Sequence, residues 1–386
     1  MKNPLSVMVQ EIEPSGIRKF FDIVTEMKDA ISLGVGEPDF DTPWHIREEA
    51  IYSLEKGRTF YTSNSGLVEL RKEICNYMKH SQGLEYNINE TLVTVGGSEA
   101  IDIALRAMID PGDEVLIPQP SFVSYVPCTQ LAYGVPVTIA LREEDQFRLT
   151  KEQVLSAITE KTKLLVLPFP NNPTGAIMEK GDLVEIAKVC VEHDIYVLSD
   201  EIYAELTYKD KHISIAALPG MRERTIVING FSKAYAMTGW RLGYAVGPEY
   251  IISQMMKIHQ FAIMCAPTNS QYAAVEALRN GDKDITMMRE EYDKRRKYLM
   301  QAFQNMGLEC FEPFGAFYVF PSIKRFGITS EEFASGLLKQ EKVAVVPGTA
   351  FGQSGEGYLR ISYAYSLGNL KLALSRIENY IKTLDR

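Results

Sequence analysis

Apolar and polar positions along this chain form two alternating kinds of segment. Short apolar runs rich in β-branched residues predict buried strands, whereas longer stretches with apolar residues three or four positions apart predict helices. The predicted strands are, in chain order, residues 91–95, 114–118, 163–167, 195–199, 225–228 and 242–246. Helical segments such as 99–109 and 183–192 separate most of them. This alternation predicts a largely parallel sheet covered by helices on both faces.

The pattern changes after about residue 280, and helices and short apolar runs there predict a smaller α+β domain. The predicted elements are a charged helix at 287–306, apolar runs at 314–320 and 343–346, a helix near 330–340 and a final helix from Leu370. We expect a large domain over residues 46–280 and a small C-terminal domain over 281–386. Residues 1–45 are expected to provide an N-terminal arm and part of the small domain.

Three helices are predicted ahead of the first strand of the sheet. The first is an amphipathic arm within residues 1–30. Its apolar residues at helical spacing are Ile17, Phe20, Phe21 and Val24. The other two helices cover 45–55 and 67–80, and the polar loop 61–66 separates them.

Charge and composition exclude some classes of function. The chain has 386 residues and a formal net charge of −9, which disfavours a nucleic-acid-binding surface. It shows no apolar stretch typical of a secretory signal, and no run approaches the ~20 residues of a membrane span. The five cysteines and five histidines have no metal-ligand spacing. We therefore expect a cytoplasmic protein without a metal site.

Lys233 follows the predicted strand 225–228 in a turn of small residues, and Arg241 lies eight positions later. Most single lysines are surface charges, so this position alone indicates little. Ligands of parallel sheets, however, bind at the carboxyl ends of the strands. A lysine at such a strand end can therefore lie at the floor of a cleft.

Two polar turns follow other strands. Gly96-Gly97-Ser98 opens a predicted helix, whose first backbone N–H groups would bind an anion such as phosphate or simply be capped. Asn172 lies in Asn171-Asn172-Pro173-Thr174-Gly175, after the strand 163–167. This asparagine presents its amide to a ligand or shapes a structural turn, and the sequence leaves both alternatives open.

A carboxylate and an arginine are predicted in apolar surroundings. Asp200 directly follows the predicted strand 195–199, where a buried carboxylate is costly unless a cation or donors contact it. Capping the next helix is the alternative. Tyr203 lies one helical turn further. Arg360 lies in the alternating run 358–363 and is expected to bind a carboxylate, either of a ligand or of an internal Asp or Glu.

In this order, the motifs resemble those of class I/II aminotransferases in the fold-type I pyridoxal-phosphate superfamily. The run Gly230-Phe231-Ser232-Lys233, with Met237, Gly239 and Arg241-Leu242-Gly243, is similar to the family's lysine motif. The resemblance covers essentially the whole chain. It implies an aspartate-aminotransferase-like α/β fold, with a mostly parallel central sheet covered by helices and a smaller α+β domain. It also implies pyridoxal 5′-phosphate as the cofactor.

The resemblance implies roles around the cofactor ring. Lys233 would hold the cofactor as a Schiff base, and Asp200 would contact its pyridine nitrogen. Tyr203 and Asn172 would form hydrogen bonds with its phenolic oxygen, and Phe122 would stack on the ring. The predicted catalytic residues are therefore Lys233, Asp200 and Tyr203.

The resemblance also implies how the phosphate is bound. Gly97, Ser98 and Arg241 would contact it, and Tyr61 would reach the phosphate of the neighbouring subunit. The last contact implies a homodimer whose active sites are shared across the interface. One departure is Gly230, where many relatives carry a serine that contacts the phosphate.

The implied substrate-binding residues are Gly36, Asn172 and Arg360. Arg360 would bind the α-carboxylate, and Gly36 would leave room for it. The implied reaction moves the amino group of an L-amino acid to a 2-oxo acid such as 2-oxoglutarate in a ping-pong mechanism.

The substrate is expected to be an aromatic or dicarboxylic amino acid. Segments 15–20 and 357–363 look most like those of prokaryotic aromatic and N-acetyl-diaminopimelate aminotransferases. Some aspartate-specific relatives carry a lysine at the position of Ser98, so strict aspartate specificity of that type is disfavoured. A carbon–sulfur β-lyase of the same fold is the alternative enzyme. An aminotransferase-like transcription regulator is the non-enzyme alternative.

Overall fold

The computed structural model describes residues 4–14 and 29–385 of the chain. Its centre is a seven-stranded sheet, and two smaller sheets have three and two strands. The strands are β1 Ile31–Ser32, β2 Thr91–Thr94, β3 Glu114–Gln119, β4 Val135–Ala140, β5 Thr162–Leu167, β6 Tyr196–Asp200, β7 Thr225–Gly230, β8 Gly243–Val246, β9 Tyr318–Val319, β10 Val343–Ala344, β11 Val346–Pro347 and β12 Leu359–Ser362. The α-helices are α1 Val7–Glu11, α2 Trp44–Glu55, α3 Val68–Tyr77, α4 Gly96–Met108, α5 Tyr125–Leu131, α6 Lys151–Ala157, α7 Lys180–Glu192, α8 Glu249–Ala262, α9 Thr268–Asn280, α10 Asp282–Asn305, α11 Ser330–Glu341 and α12 Leu367–Leu384.

The central sheet has the strand order β2-β8-β7-β6-β5-β3-β4. The pairs from β7 to β4 are parallel, and β8 is antiparallel to both of its neighbours. Leu198 and Ile226 pack into one hydrophobic core, whereas Val197 and Val227, at the alternate positions, belong to other cores. Because successive side chains point to opposite faces, both faces of the sheet are buried. The predicted, largely parallel α/β sheet is confirmed.

Several boundaries differ from the sequence prediction. Helix α4 begins at Gly96, so the Gly96-Gly97-Ser98 segment is the first turn of the helix and not a separate turn before it. Gly96 has φ +76°, a conformation that glycine adopts without strain and that lets the chain pass from strand to helix in one residue. The predicted run 343–346 is divided at Val345 into β10 and β11, which pair with different strands.

The smaller sheets join the two ends of the chain. Strand β1 pairs in parallel with β10, with Ile31 opposite Val343, while β12 pairs antiparallel with both β11 and β9. Leu33 packs in the same core as Phe317 and Leu374. The N-terminal residues therefore contact the C-terminal part of the chain, as expected, while the domain boundaries themselves stay a prediction.

The N-terminal arm is described only in part. Helix α1 lies within the predicted arm, but Ile17, Phe20, Phe21 and Val24 lie outside the described residues. No helix within the described part of the chain is both long and apolar enough to cross a membrane.

Candidate active site

A cavity of about 330 Å³ lies at the carboxyl ends of the central strands. Ten of the eleven site residues predicted from the sequence line it. They are Gly36, Gly97, Ser98, Phe122, Asn172, Asp200, Tyr203, Lys233, Arg241 and Arg360. Positions as far apart as 36 and 360 in the sequence therefore meet in one site.

Tyr61 is the exception, because it does not line this cavity. Its side chain is 80% exposed, in the loop between α2 and α3. The predicted contact of Tyr61 belongs to a neighbouring subunit, so it stays a prediction.

Lys233 lies three residues after β7, in a turn that directs its amine into the cavity. Its Nζ donates a hydrogen bond to the carbonyl oxygen of Gly36 at 2.5 Å. Burial, and then the positive charge of Arg360, lower the pKa of this lysine to about 8. A larger fraction of the amine is therefore neutral near neutral pH than for an exposed lysine, and a neutral amine is a nucleophile and a base.

Asp200 is the last residue of β6 and is 7% exposed. Its Oδ2 accepts a hydrogen bond from the Tyr125 hydroxyl at 2.7 Å, and its Oδ1 accepts one from the Ile202 N–H at 3.2 Å. Burial raises the pKa of this carboxyl group. No cationic side chain of residues 4–14 or 29–385 forms an ion pair with it. A cation that enters the cavity would therefore stabilise the buried carboxylate.

The loop after β5 separates a structural asparagine from one that faces the cavity. Asn171 is buried, and its Oδ1 accepts hydrogen bonds from the N–H and the hydroxyl of Thr174 at 3.1 and 2.9 Å. Asn172 accepts a hydrogen bond from Arg360 Nη1 at 2.9 Å. The oxygen of Asn172 is thus engaged, and its NH₂ group remains as a donor. Asn171 therefore stabilises the turn, whereas Asn172 faces the cavity, and its contact with a ligand stays a prediction.

Arg360 is held in place from two sides. Its Nη1 donates to Asn172 and its Nη2 donates to the carbonyl oxygen of Gly34. Its Nε is buried and has no hydrogen-bond partner among the described residues. A buried N–H without a partner is costly, so a carboxylate oxygen that reached it would be stabilising. Neither an internal Asp nor Glu takes that position, as far as the described residues show.

The first turn of α4 and Arg241 lie together at one end of the cavity. The turn contributes Gly97 and Ser98, and the first N–H groups of a helix have no partner within the helix. Arg241 has a left-handed backbone, with φ 52°, and its Nη1 donates to the Thr238 carbonyl at 3.0 Å. A Cβ on Gly96 would come within 2.8 Å of Arg241 Nη2, so glycine allows this approach. Free N–H groups beside a guanidinium form a site for an anion.

Position 230 has little room for a side chain. A Cβ there would come within 2.9 Å of Gly243 Cα and 3.1 Å of the Leu242 carbonyl oxygen. Gly230 and Gly243 are paired on β7 and β8, so the two backbones approach closely. A serine at this position would require a shift of the backbone of this chain.

Sequence reasoning missed several residues of the cavity. Tyr125 holds Asp200, and Tyr318 places its hydroxyl 2.8 Å from that of Tyr203. Glu37 accepts a hydrogen bond from Thr238 at 3.2 Å. The nearness of Tyr125 in sequence to the predicted site residue Phe122 was a usable signal, whereas Tyr318 lies in a run of apolar residues and carries none.

Comparison with known proteins identifies the family to which the chain belongs. Residues 28–377 match the family described as aminotransferase class I and II. The chain is 50% identical to an aspartate aminotransferase of Pyrococcus abyssi over 96% of either chain. It is 44% identical to a Bacillus subtilis protein named "Probable N-acetyl-LL-diaminopimelate aminotransferase", over 99% of this chain and 96% of the relative.

A solved structure shows the same fold. The aromatic aminotransferase from Pyrococcus horikoshii superposes with a TM-score of 0.91 and 47% identity, covering 95% of this chain and 99% of the other. Family match, sequence identity and fold extend over nearly the whole length. The chain is a member of the class I and II aminotransferase family, whose enzymes transfer an amino group between amino acids and oxo acids.

Proposed function

We propose that the cavity holds pyridoxal 5′-phosphate, the cofactor of class I and II aminotransferases. The environment of Asp200 supports this proposal most directly. This buried carboxylate accepts hydrogen bonds from two neutral donors and has no ion-pair partner among the described residues. A protonated pyridine nitrogen fits this position, because it supplies the missing cation. Lys233, whose pKa is lowered to about 8, lies on the same cavity and would hold the cofactor through its amine.

The remaining lining residues fit the rest of the group. Gly97, Ser98 and Arg241 offer N–H, hydroxyl and guanidinium donors, which suits a phosphate. Phe122 lines the cavity and would pack against the ring. The NH₂ of Asn172 and the hydroxyl of Tyr203 would contact the phenolic oxygen.

When bound, the cofactor supplies an electron sink that acidifies the Cα–H bond of an amino acid. The amine of Lys233 would take the Cα proton of the substrate on its Nζ and later release it. Its lowered pKa suits both tasks, because the amine is basic enough to accept a proton and weakly basic enough to release it. Burial of the site excludes water from these proton transfers.

Arg360 would bind the α-carboxylate of the substrate through its free Nε and the remaining N–H bonds of its guanidinium. Contacts to Asn172 and Gly34 hold this group in place before substrate arrives. Fixing the carboxylate fixes the orientation of Cα toward Lys233.

We propose an aromatic or dicarboxylic L-amino acid as donor and 2-oxoglutarate as acceptor in a ping-pong reaction. Val35 and Ile101 give the cavity apolar surface, and no lysine occupies position 98. The relatives are named for aspartate, N-acetyl-LL-diaminopimelate and aromatic substrates, which supports a broad rather than a strict preference.

A half-reaction assay tests this proposal. The purified, cofactor-loaded protein is mixed with single amino acids, and the visible absorbance of the cofactor is followed by stopped flow. We expect conversion by tyrosine, phenylalanine, aspartate or glutamate, and recovery on addition of 2-oxoglutarate. Conversion by alanine alone would contradict the substrate class. Release of pyruvate and ammonia from cystathionine without an oxo acid would favour the β-lyase alternative.

We further propose that the protein acts as a homodimer in which Tyr61 completes the partner's site. Tyr61 and the adjacent Phe60 are 80% and 81% exposed, and Phe261 is 88% exposed. Large exposed apolar side chains are typical of a surface covered by another chain. Light scattering of the purified protein measures this: a mass near 43.5 kDa would contradict the dimer. The cytoplasmic location stays a prediction.

A further inference from the structure

Tyr318 occupies a central position in the cavity that the proposed roles do not use. It lies on β9, is 1% exposed and lines the cavity. Its hydroxyl is 2.8 Å from the hydroxyl of Tyr203. The guanidinium carbon of Arg360 lies 4.6 Å from the centre of its ring. One side chain therefore contacts both the proposed partner of the cofactor's phenolic oxygen and the proposed carboxylate-binding group.

Gly36 packs directly against the hydroxyl group of this tyrosine. A Cβ at Gly36 would come within 2.3 Å of the Tyr318 hydroxyl oxygen and 3.3 Å of the ring carbon that carries it. The space next to Gly36 is therefore taken by a protein hydroxyl group. A side chain that served only to fill the core could be phenylalanine, which would need less room at this point.

The distance alone allows either hydroxyl of the Tyr203–Tyr318 pair to be the donor. Burial raises the pKa of both phenols, and the nearby Arg360 guanidinium opposes the rise in both. A phenol carries a single O–H, so a Tyr203 that donates to the phenolic oxygen of the cofactor must accept the hydrogen bond from Tyr318. In the cofactor-bound site the Tyr318 O–H would therefore donate to the Tyr203 oxygen, and the proton of Tyr203 would point into the cavity.

We propose that Tyr318 is a positioning residue of the transamination: its hydroxyl turns the Tyr203 proton toward the bound cofactor, and its ring supports Arg360. This inference rests on the proposed function of the cavity. A phenol that accepts a hydrogen bond while donating one donates more strongly, because hydrogen bonds in a chain polarise one another. Tyr318 thus strengthens the donation from Tyr203 and fixes its direction.

The test is a spectrophotometric pH titration of the cofactor bound to wild-type protein and to Tyr318→Phe. Donation from Tyr203 stabilises the deprotonated phenolic oxygen, so weakening it should raise the pH midpoint by about half to one unit. In a Tyr203→Phe background, Tyr318→Phe should add no further shift, because it acts through Tyr203. Tyr380→Phe is the matched control, because Tyr380 is buried in the same core and does not line the cavity. The cofactor bound to this variant should have the same pH midpoint as in the wild-type protein.

Steady-state kinetics provide a second readout. Tyr318→Phe keeps the ring over Arg360, so the dissociation constant of a dicarboxylate inhibitor such as maleate should change less than about twofold. The kcat should fall about three- to tenfold, because only the hydrogen bond to Tyr203 is lost. Tyr318→Leu removes the ring as well and should weaken maleate binding by about fivefold or more.

Each outcome decides a specific point. A Tyr318→Phe midpoint equal to that of wild type would overturn the inference, as would a shift of the same size in the Tyr203→Phe background. Unchanged maleate binding by Tyr318→Leu would overturn the part that concerns Arg360. A wild-type protein that takes up no pyridoxal 5′-phosphate would overturn the proposed function and this inference with it.

Discussion

The two sides of the cavity are built in different ways. The cofactor wall, which we define as Asn172, Asp200 and Lys233, follows successive strands of the central sheet. The substrate wall, defined as Gly36, Tyr318 and Arg360, comes from a loop and from the two short strands β9 and β12. Each residue of the cofactor wall lies at a position set by its own strand, whereas the substrate wall requires distant segments to meet.

Two hydrogen bonds join the two walls directly: Arg360 donates to Asn172, and Lys233 donates to the Gly36 carbonyl oxygen. The hydroxyl of Tyr318 also lies 2.8 Å from that of Tyr203, which lines the same cavity. A substitution in one wall is therefore expected to alter the contacts made by the other. We expect the cofactor wall to determine whether the reaction occurs, and the substrate wall to determine how well a carboxylate is bound and oriented.

The largest effect is expected from Lys233→Ala in the cofactor wall. Loss of the amine removes both the covalent attachment and the proton shuttle, so kcat should fall by about 10⁴-fold or more. Folding and non-covalent cofactor binding should persist, as measured by circular dichroism and by equilibrium dialysis with pyridoxal 5′-phosphate. Lys72→Ala, at an exposed position of α3, is the control. Near-normal transamination by Lys233→Ala would contradict the proposed role.

Arg360→Lys in the substrate wall should act on substrate binding. Lysine cannot reproduce the two-pronged geometry of a guanidinium, so kcat/KM should fall about 10- to 100-fold, mostly through KM. The affinity for pyridoxal 5′-phosphate should fall much less, because the hydrogen bond to Asn172 is the one hydrogen bond that Arg360 forms with the cofactor wall in the described part of the chain. Steady-state kinetics and cofactor titration separate the two quantities. Arg106→Lys, on the exposed face of α4, should change neither, and an equal loss of cofactor affinity in Arg360→Lys would show that the walls do not have separate roles.

The pKa of Lys233 measures the coupling between the walls. In the cofactor-free protein it is lowered to about 8 by burial and by the charge of Arg360. Because the folded-state pKa is lowered, the amine should become neutral, and react with a small acylating reagent, as the pH rises through about 8. Arg360→Gln removes the positive charge and should raise the midpoint for Lys233. Peptide mass spectrometry measures both rates, and a wild-type Lys233 midpoint near 10 would contradict the prediction.

The smallest effect concerns packing in the substrate wall. Gly36→Ala places a Cβ against the Tyr318 hydroxyl and should lower the free energy of unfolding by about 1–3 kcal/mol. In a Tyr318→Phe background the closest atom is absent, so the same substitution should cost less. Urea denaturation measures both values. Gly181→Ala in α7, where no atom lies within 4 Å of the added Cβ, is the control. Equal costs in both backgrounds would show that Tyr318 does not constrain Gly36.

By itself, the sequence determined the class of fold and most of the cofactor wall. The apolar runs 163–167, 195–199 and 225–228 predicted strands, and the polar residue after each was found at the carboxyl end of the sheet, because the chain leaves a strand at a fixed edge. The edge strand Val135–Ala140 was not predicted. The resemblance to a known family predicted Arg360 and Gly36 as well. The lack of room for a side chain at Gly230, by contrast, follows from the close approach of β7 to β8.

Only the tertiary structure decided how the two walls meet. Tyr125 and Tyr318 lie in segments whose apolar pattern predicts core, and their hydroxyl contacts depend on strands and helices far apart in the sequence. The engagement of Asn172 with Arg360, and the free Nε that this leaves, likewise arise from two segments 188 positions apart. Local patterns fix the direction of a side chain along its own element; the partner across the cavity is set by the packing of the whole chain.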